Sequence, residues 1–177
     1  MNVVTGLMLG LALCTWKAAA AAQDAWDRIG PAHVGVTLEQ VSATLEMRCD
    51  QAMPLRQCTC AAASFAGVPV TAIETTFRSD RLARVVVRLD AARYETLLEA
   101  LRARLGEPED RSFRARAGMA GDLDAGVKLW SVGEVSVVLE QYARKIDRAA
   151  LTYGDSEAMA RLLAEKRAYE PGAWRDL

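Results

Sequence analysis

The sequence predicts an α+β fold, an antiparallel sheet of about five strands covered by helices on one face, in the order α-ββ-α-βββ-α. Three observations predict it. A capped amphipathic segment follows Val36, β-rich residues alternate with polar ones in consecutive runs between Val68 and Leu89 and between Val127 and Tyr153, and a helical stripe of leucines separates those runs. Strands that follow one another without an intervening helix pair antiparallel, because a parallel pair needs a long crossover connection.

The first helix is marked by Thr37-Leu38-Glu39-Gln40, in which Thr37 and Gln40 occupy the capping-box positions and Val36 and Val41 those of a hydrophobic staple. It starts at Leu38, repeats Val41 and Leu45 at helical spacing, and fades near Met47. Residues 48–67 mix Pro54, three cysteines and an alanine run and read as a loop stapled by a disulfide. Val68 to Phe77 and Leu82 to Leu89 form a hairpin about the turn 78–81. Thr71, Ile73, Thr75 and Phe77 line one side of the first strand, Ala83, Val85, Val87 and Leu89 the apolar face of the second, so Arg84 and Arg88 point to solvent. Asp90 is placed as an N-cap, and Tyr94, Leu97, Leu98, Leu101 and Leu105 trace one helical stripe that Gly106 and Pro108 end. Residues 107–126 hold Gly118, Gly121 and Gly126 without any period and read as a long mobile loop. Val127 to Ser131, Val135 to Tyr142 and Ala149 to Tyr153 are strands. Asp155 then caps a closing helix from Ser156, with Met159, Leu162 and Leu163 inward and Pro171 at its end.

The N-terminus points to export. Val3 to Trp16 is a largely apolar run, interrupted by Lys17 before the small residues Ala18 to Ala22, the layout of a signal peptide. The run is shorter than the roughly 20 residues that span a bilayer, so residues 1–22 are expected to be cleaved near Ala20-Ala21-Ala22, leaving 23–177 as a single domain. The n-region carries no Lys or Arg, which keeps an uncleaved anchor as the alternative and the only expected contact with membrane. A lipid-modified Cys14 is disfavoured by Leu13 before it.

Beyond the leader lie Cys49, Cys58 and Cys60, close together in what should be an oxidising compartment. A bridge between Cys58 and Cys60 spans a single residue and would be strained, so Cys49 is one partner. The other is Cys58 or Cys60; the spacing leaves both open, with Cys58 taken as the first expectation.

With 22 basic and 23 acidic side chains, the chain lacks the clustered positive field that nucleic acid requires, and no nucleic-acid partner is expected. His33 is the one histidine, placed in the lead-in to the first helix. Three cysteines and a distant histidine make a poor zinc set. Asp122 and Asp124, the nearest approach to a carboxylate pair, fall in the glycine-rich segment, and neither a phosphate-cradling loop nor a Gly-x-Ser-x-Gly elbow is present. No catalytic, metal or cofactor-binding residue is assigned. Two groups are read as interaction surfaces: Arg111, Arg114 and Arg116 in the loop, and Tyr142, Arg144, Lys145 and Arg148 at a strand end and turn. Trp130 is read as core.

Gly35-Val36-Thr37-Leu38-Glu39-Gln40-Val41, with Leu45 after it, resembles the Gly-Met-Thr-x-x-Glu/Gln-Val-x-x-x-Leu opening of the SmpA/OmlA family of small barrel-assembly lipoproteins and of the similarly folded β-lactamase inhibitor proteins. The Leu-Gly-x-Pro that usually closes the first helix of those domains stands instead at Leu105-Gly106-Glu107-Pro108, after the second helix. The resemblance implies helices packed on one face of an antiparallel sheet in an envelope protein that works by protein contact, and it carries over no catalytic residue. The expectation is an exported, non-enzymatic protein, periplasmic or secreted, that binds another envelope or secreted protein. The alternatives are an inhibitor or immunity protein acting against a secreted enzyme and, in a different class, a small hydrolase using Cys60 or a loop carboxylate.

Overall fold

The computed structural model describes residues 24–50, 55–61, 64–116, 122–143 and 145–169. The expected leader, Arg144, Pro171 and the side chains of Arg116, Asp122 and Leu163 lie outside the described residues. In chain order, helices α1 (Trp26–Ile29) and α2 (Leu38–Ser42) precede strands β1 (Met47–Cys49) and β2 (Leu55–Cys60). A small hairpin of β3 (Ser64–Phe65) and β4 (Val68–Pro69) leads to the long strands β5 (Ala72–Arg78) and β6 (Arg81–Asp90). Helix α3 (Tyr94–Leu105) is followed by β7 (Glu109–Asp110) and a second small hairpin, β8 (Phe113–Arg116) with β9 (Asp122–Ala125). Strands β10 (Val127–Val132), β11 (Val135–Glu140) and β12 (Arg148–Gly154) then lead into α4 (Ser156–Tyr169).

The expected five-stranded sheet covered on one face is corrected. Eight strands form one antiparallel sheet in the order β1-β2-β5-β6-β12-β11-β10-β7, two further two-stranded sheets flank it, and the helices are few and short. Residues 48–67 supply three of the unexpected strands, because Cys58 and Cys60 act as the buried alternate positions of β2 while Gln57 and Thr59 stay exposed. Helix α2 consequently ends at Ser42 rather than near Met47, which belongs to β1 and pairs with Cys60. The segment 107–126 carries β7, β8 and β9.

Other elements form where the sequence places them. The Thr37 and Gln40 capping box is present, and Val41 beneath it is buried. β5 and β6 make a hairpin whose two central residues, Ser79 and Asp80, both adopt positive φ, the backbone twist that suits a two-residue turn between right-twisted strands. Asp155 accepts a bond from the Ala158 amide at 2.7 Å and so caps α4. The cap expected from Asp90 does not form: a short 3-10 turn, Ala91–Arg93, intervenes before α3.

Partners directly opposed in an antiparallel ladder share a face, so the register divides the sheet. One face carries Ile73, Phe77, Val85, Val87, Leu89, Leu151, Tyr153, Val137 and Leu139, which join Val41, Leu97 and Leu101 of α2 and α3 in the main core. On the opposite face Val127, Val138 and Met159 form a smaller cluster with Phe113, Leu129 and Leu162, so α4 packs there and not with the other helices. Strand β12 lies between the two layers, and every residue from Ala149 to Gly154 is buried.

Polar contacts tie the periphery to this frame. The Tyr153 hydroxyl donates to the Ile29 carbonyl at the end of α1. Asp24 accepts from the Trp26 amide and, through its second oxygen, from the Gly67 amide at 2.6 Å, fastening α1 to the β3–β4 hairpin. Arg104 of α3 covers the Trp26 ring at 5.4 Å, a cation–π contact. Replacing Tyr153 by Phe removes the one side-chain donor that reaches Ile29 and leaves its carbonyl buried. Urea titration should show a loss of about 1–3 kcal/mol with native circular dichroism retained; an unchanged midpoint would show that the bond contributes nothing net.

Candidate functional site

Helix α4 occupies only part of the outer face of the sheet. Over β1, β2, β5 and β6 the outward side chains are polar and remain open, and they enclose a groove of about 300 Å³. Its floor follows the register. One row runs Arg48, Thr59, Glu74 and Val86 across four strands, and the next runs Gln57, Thr76 and Arg84, with Asp50 beyond Gln57 at the β1 edge. A bulge in β6 opposite Thr76 and Phe77 lets Leu82 and Ala83 both turn inward, which keeps Arg84 on the outer side in line with Thr76.

The groove's acids are already engaged. Glu74 receives a two-pronged contact from Arg88, Nε to Oε1 at 2.7 Å and Nη2 to Oε2 at 3.0 Å, a planar match of guanidinium to carboxylate. This bond to Glu74 raises the Arg88 pKa further. Asp50 Oδ1 accepts from the Gln57 amide at 3.0 Å. At the border with α4, Arg78 meets Glu157 at 2.6 Å and Asp155 at 3.5 Å. Among the described residues neither Arg48 nor Arg84 has a carboxylate partner.

The disulfide joins Cys49 and Cys58, directly opposed on β1 and β2. It holds the outermost strand, and with it Arg48 and Asp50, against the rest of the groove. Cys60, the remaining described thiol, is buried beside Thr75, and burial pushes its pKa up to about 11. A nucleophilic cysteine needs the opposite shift, and no hydrogen bond links Cys60 to His33. Among the described residues no group of three His, Cys, Asp or Glu side chains is placed to hold a metal ion.

The sequence singled out other residues as interaction surfaces, and the structure disperses their charge. Arg111 pairs with Glu109 at 2.7 Å, and Arg114 of β8 with Asp124 of β9 at 3.3 Å. Tyr142 is half-buried in the β11–β12 turn, where Lys145 is exposed and Arg148 lies 3.8 Å from Asp147. Trp130 is buried and donates from Nε1 to the Gly106 carbonyl at 2.8 Å. The groove residues were missed, although Arg84 and Arg88 do face outward as their alternation indicates. The signal that could have found them is the Met-Arg-Cys-Asp and Gln-Cys-Thr-Cys alternation at β1 and β2, which reads as strand once cysteine is counted as an apolar residue.

One cluster at the opposite edge has the look of chemistry. Lys128 Nζ lies 2.6 Å from Asp110 and 3.3 Å from Ser112 Oγ, whose oxygen also accepts from the Val127 amide. The Lys128 contact, followed by bonds from Ser112, holds the Asp110 carboxyl well below the usual carboxylate range. A lysine acting as base for a serine must be neutral, whereas this one sits on an ionised aspartate. The cluster clamps β7, whose two residues are exposed, to β10. Beside it Gly126 must lack a side chain, because a Cβ would stand 2.7 Å from the buried Tyr94 hydroxyl.

Two expectations follow from the cysteines. Serine at both Cys49 and Cys58 should cost about 2–3 kcal/mol, given a closed loop of this length, and hydrogen exchange should quicken first in β1; unchanged protection there would show that the bond does not hold the edge. Iodoacetamide at pH 7.5 should leave Cys60 unlabelled in the folded protein and label it in urea, as read by peptide mass; rapid labelling of the native form would contradict its burial.

Comparison of the chain with protein-family models, with curated proteins and with solved structures finds no match, so its function is argued from the groove's own residues.

Proposed function

We propose that this chain is an exported, non-catalytic protein that binds another envelope or secreted protein through the open half of its sheet. The observation that carries the reading is the uneven cover of the outer face: α4 packs on β11, β12 and the adjoining part of β6, while β1, β2, β5 and the rest of β6 present a polar groove. Small-molecule sites are mostly apolar and enclosed, and here Val86 is the one aliphatic side chain among the outward-facing residues of the lining. A rigid strand floor that offers hydroxyls, an amide and guanidinium groups suits an extended polypeptide better.

Export is supported by the Cys49–Cys58 bond, which is at home in an oxidising space, and by the leader-like N-terminus. No helix among the described residues is long and apolar enough to cross a membrane. The resemblance of Gly35 to Leu45 to the small barrel-assembly lipoproteins points to the same kind of work, contact between proteins in the envelope. The hydrolase alternative has less behind it, since burial keeps the Cys60 thiol protonated and Lys128 is committed to Asp110.

Photo-crosslinking in the producing cell tests the reading. A photoreactive residue at Thr76, in the groove, should give a discrete adduct, and one at the exposed Glu95 on α3 should not. Filling the groove with Thr59→Trp should abolish the Thr76 adduct. Equal adducts at both positions, or none at Thr76, would sink the proposal.

A further inference from the structure

The groove's ligand chemistry can be taken further, on the assumption that the open half-face is the binding surface. We infer that its occupant is an extended, acidic segment of a partner protein, carrying two carboxylates four residues apart that meet Arg48 and Arg84.

Charge accounting within the fold leads there. Of the other arginines of these strands, Arg56 is spent on Asp80, Arg78 on Asp155 and Glu157, and Arg88 on Glu74, while Arg81, at the hairpin end of β6 and outside the groove lining, donates to the Gly35 carbonyl. Arg48 and Arg84 are not spent on an acid, among the described residues. Glu74 is neutralised by Arg88, whereas Asp50, which accepts from the neutral Gln57 amide, keeps its charge. Arg48 and Arg84 outweigh that one carboxylate, so the groove stays net positive although the chain as a whole has a formal net charge of −1. Guanidinium groups left without a partner on a rigid floor are ready for carboxylates, which they bind with two parallel hydrogen bonds.

Spacing selects the form of the ligand. Arg48 on β1 and Arg84 on β6 are separated by β2 and β5. Three strand spacings of roughly 4.8 Å, combined with the offset of two residues between their rows, place their backbones about 16 Å apart on a diagonal. Four residues of extended chain, at about 3.3 Å each, cover about 13 Å, a difference within the reach of two long arginine side chains. A segment crossing the strands thus delivers a carboxylate to each arginine, while Thr59, Thr76 and Gln57 between them offer donors and acceptors to its main chain. A small anion would satisfy one arginine and leave the other, and a nucleic acid would ask for a longer run of positive charge than two sites.

Fluorescein-labelled decapeptides of serine and threonine, with Glu at the third and seventh positions, test this against matched peptides carrying Gln or Lys there. Anisotropy with the purified protein at low salt should show the Glu peptide binding about tenfold tighter than the Gln peptide, the step expected for a charge-assisted contact. Arg48→Glu and Arg84→Glu should each remove that preference, and Arg93→Glu, at the exposed start of α3 and outside the groove lining, should leave it unchanged. The double reversal of Arg48 and Arg84 should prefer the Lys peptide, a gain that a misfolded protein cannot produce. Equal binding of Glu and Gln peptides, no binding of the Glu peptide, or a preference indifferent to both reversals would overturn the inference. If the Thr76 crosslink persists in that case, the acidic ligand is wrong and the binding face stands; if the crosslink is absent too, the face falls with it.

Discussion

The pairing of β12 with β6 is the constraint on which the rest of the molecule depends. Seven residue pairs, from Arg148 opposite Asp90 to Gly154 opposite Arg84, join two separate antiparallel meanders into one sheet. The end of β12 also positions its surroundings. Tyr153 reaches down to Ile29 and anchors α1, while Asp155 donates its amide to the Ala83 carbonyl and caps α4 on the other side. Gly154 lies where the β6 bulge brings that carbonyl close, and a Cβ there would stand 2.5 Å from it.

The open face is a matter of dimensions. An eight-stranded sheet is about 34 Å wide at roughly 4.8 Å per strand, whereas a helix of 14 residues is about 21 Å long. Helix α4 and Phe113 from the β8–β9 hairpin cover the side of β10, β11 and β12, with α4 reaching part of β6, and among the described elements no helix lies over β1, β2 and the groove side of β5 and β6. Those strands accordingly place threonine, glutamine, glutamate and arginine outward. The disulfide then serves the edge: β1 has three residues and pairs with β2 alone, so without the covalent link it would have little to hold it.

Much of the local structure was legible because its causes are local. The Thr37 cap, the Ser79-Asp80 turn, the leucine stripe of α3 and the Asp155 cap are each written in neighbouring residues. The misreadings have physical reasons as well. In β2 the inward positions are cysteines, whose redox chemistry in the sequence masks their role as small apolar residues. In β7, Glu109 and Asp110 contain nothing apolar, and the strand is held by backbone pairing and by Lys128, a partner that lies 18 positions after Asp110. The arginines at 111 and 114 looked like a basic cluster because their acids, Glu109 and Asp124, could be matched to them only once the strands were paired.

What the sequence alone determined is therefore the set of elements with a local cause, the alternation that sends Arg84 and Arg88 outward, and the nearness of three thiols. Which thiols join, how many strands share the sheet, and which face α4 covers were decided by tertiary structure. The physical reason is that periodicity tells a segment which of its sides is apolar but not which layer will bury it. That choice follows from the fit of whole elements, and it is the same choice that leaves Arg48 and Arg84 facing an open groove.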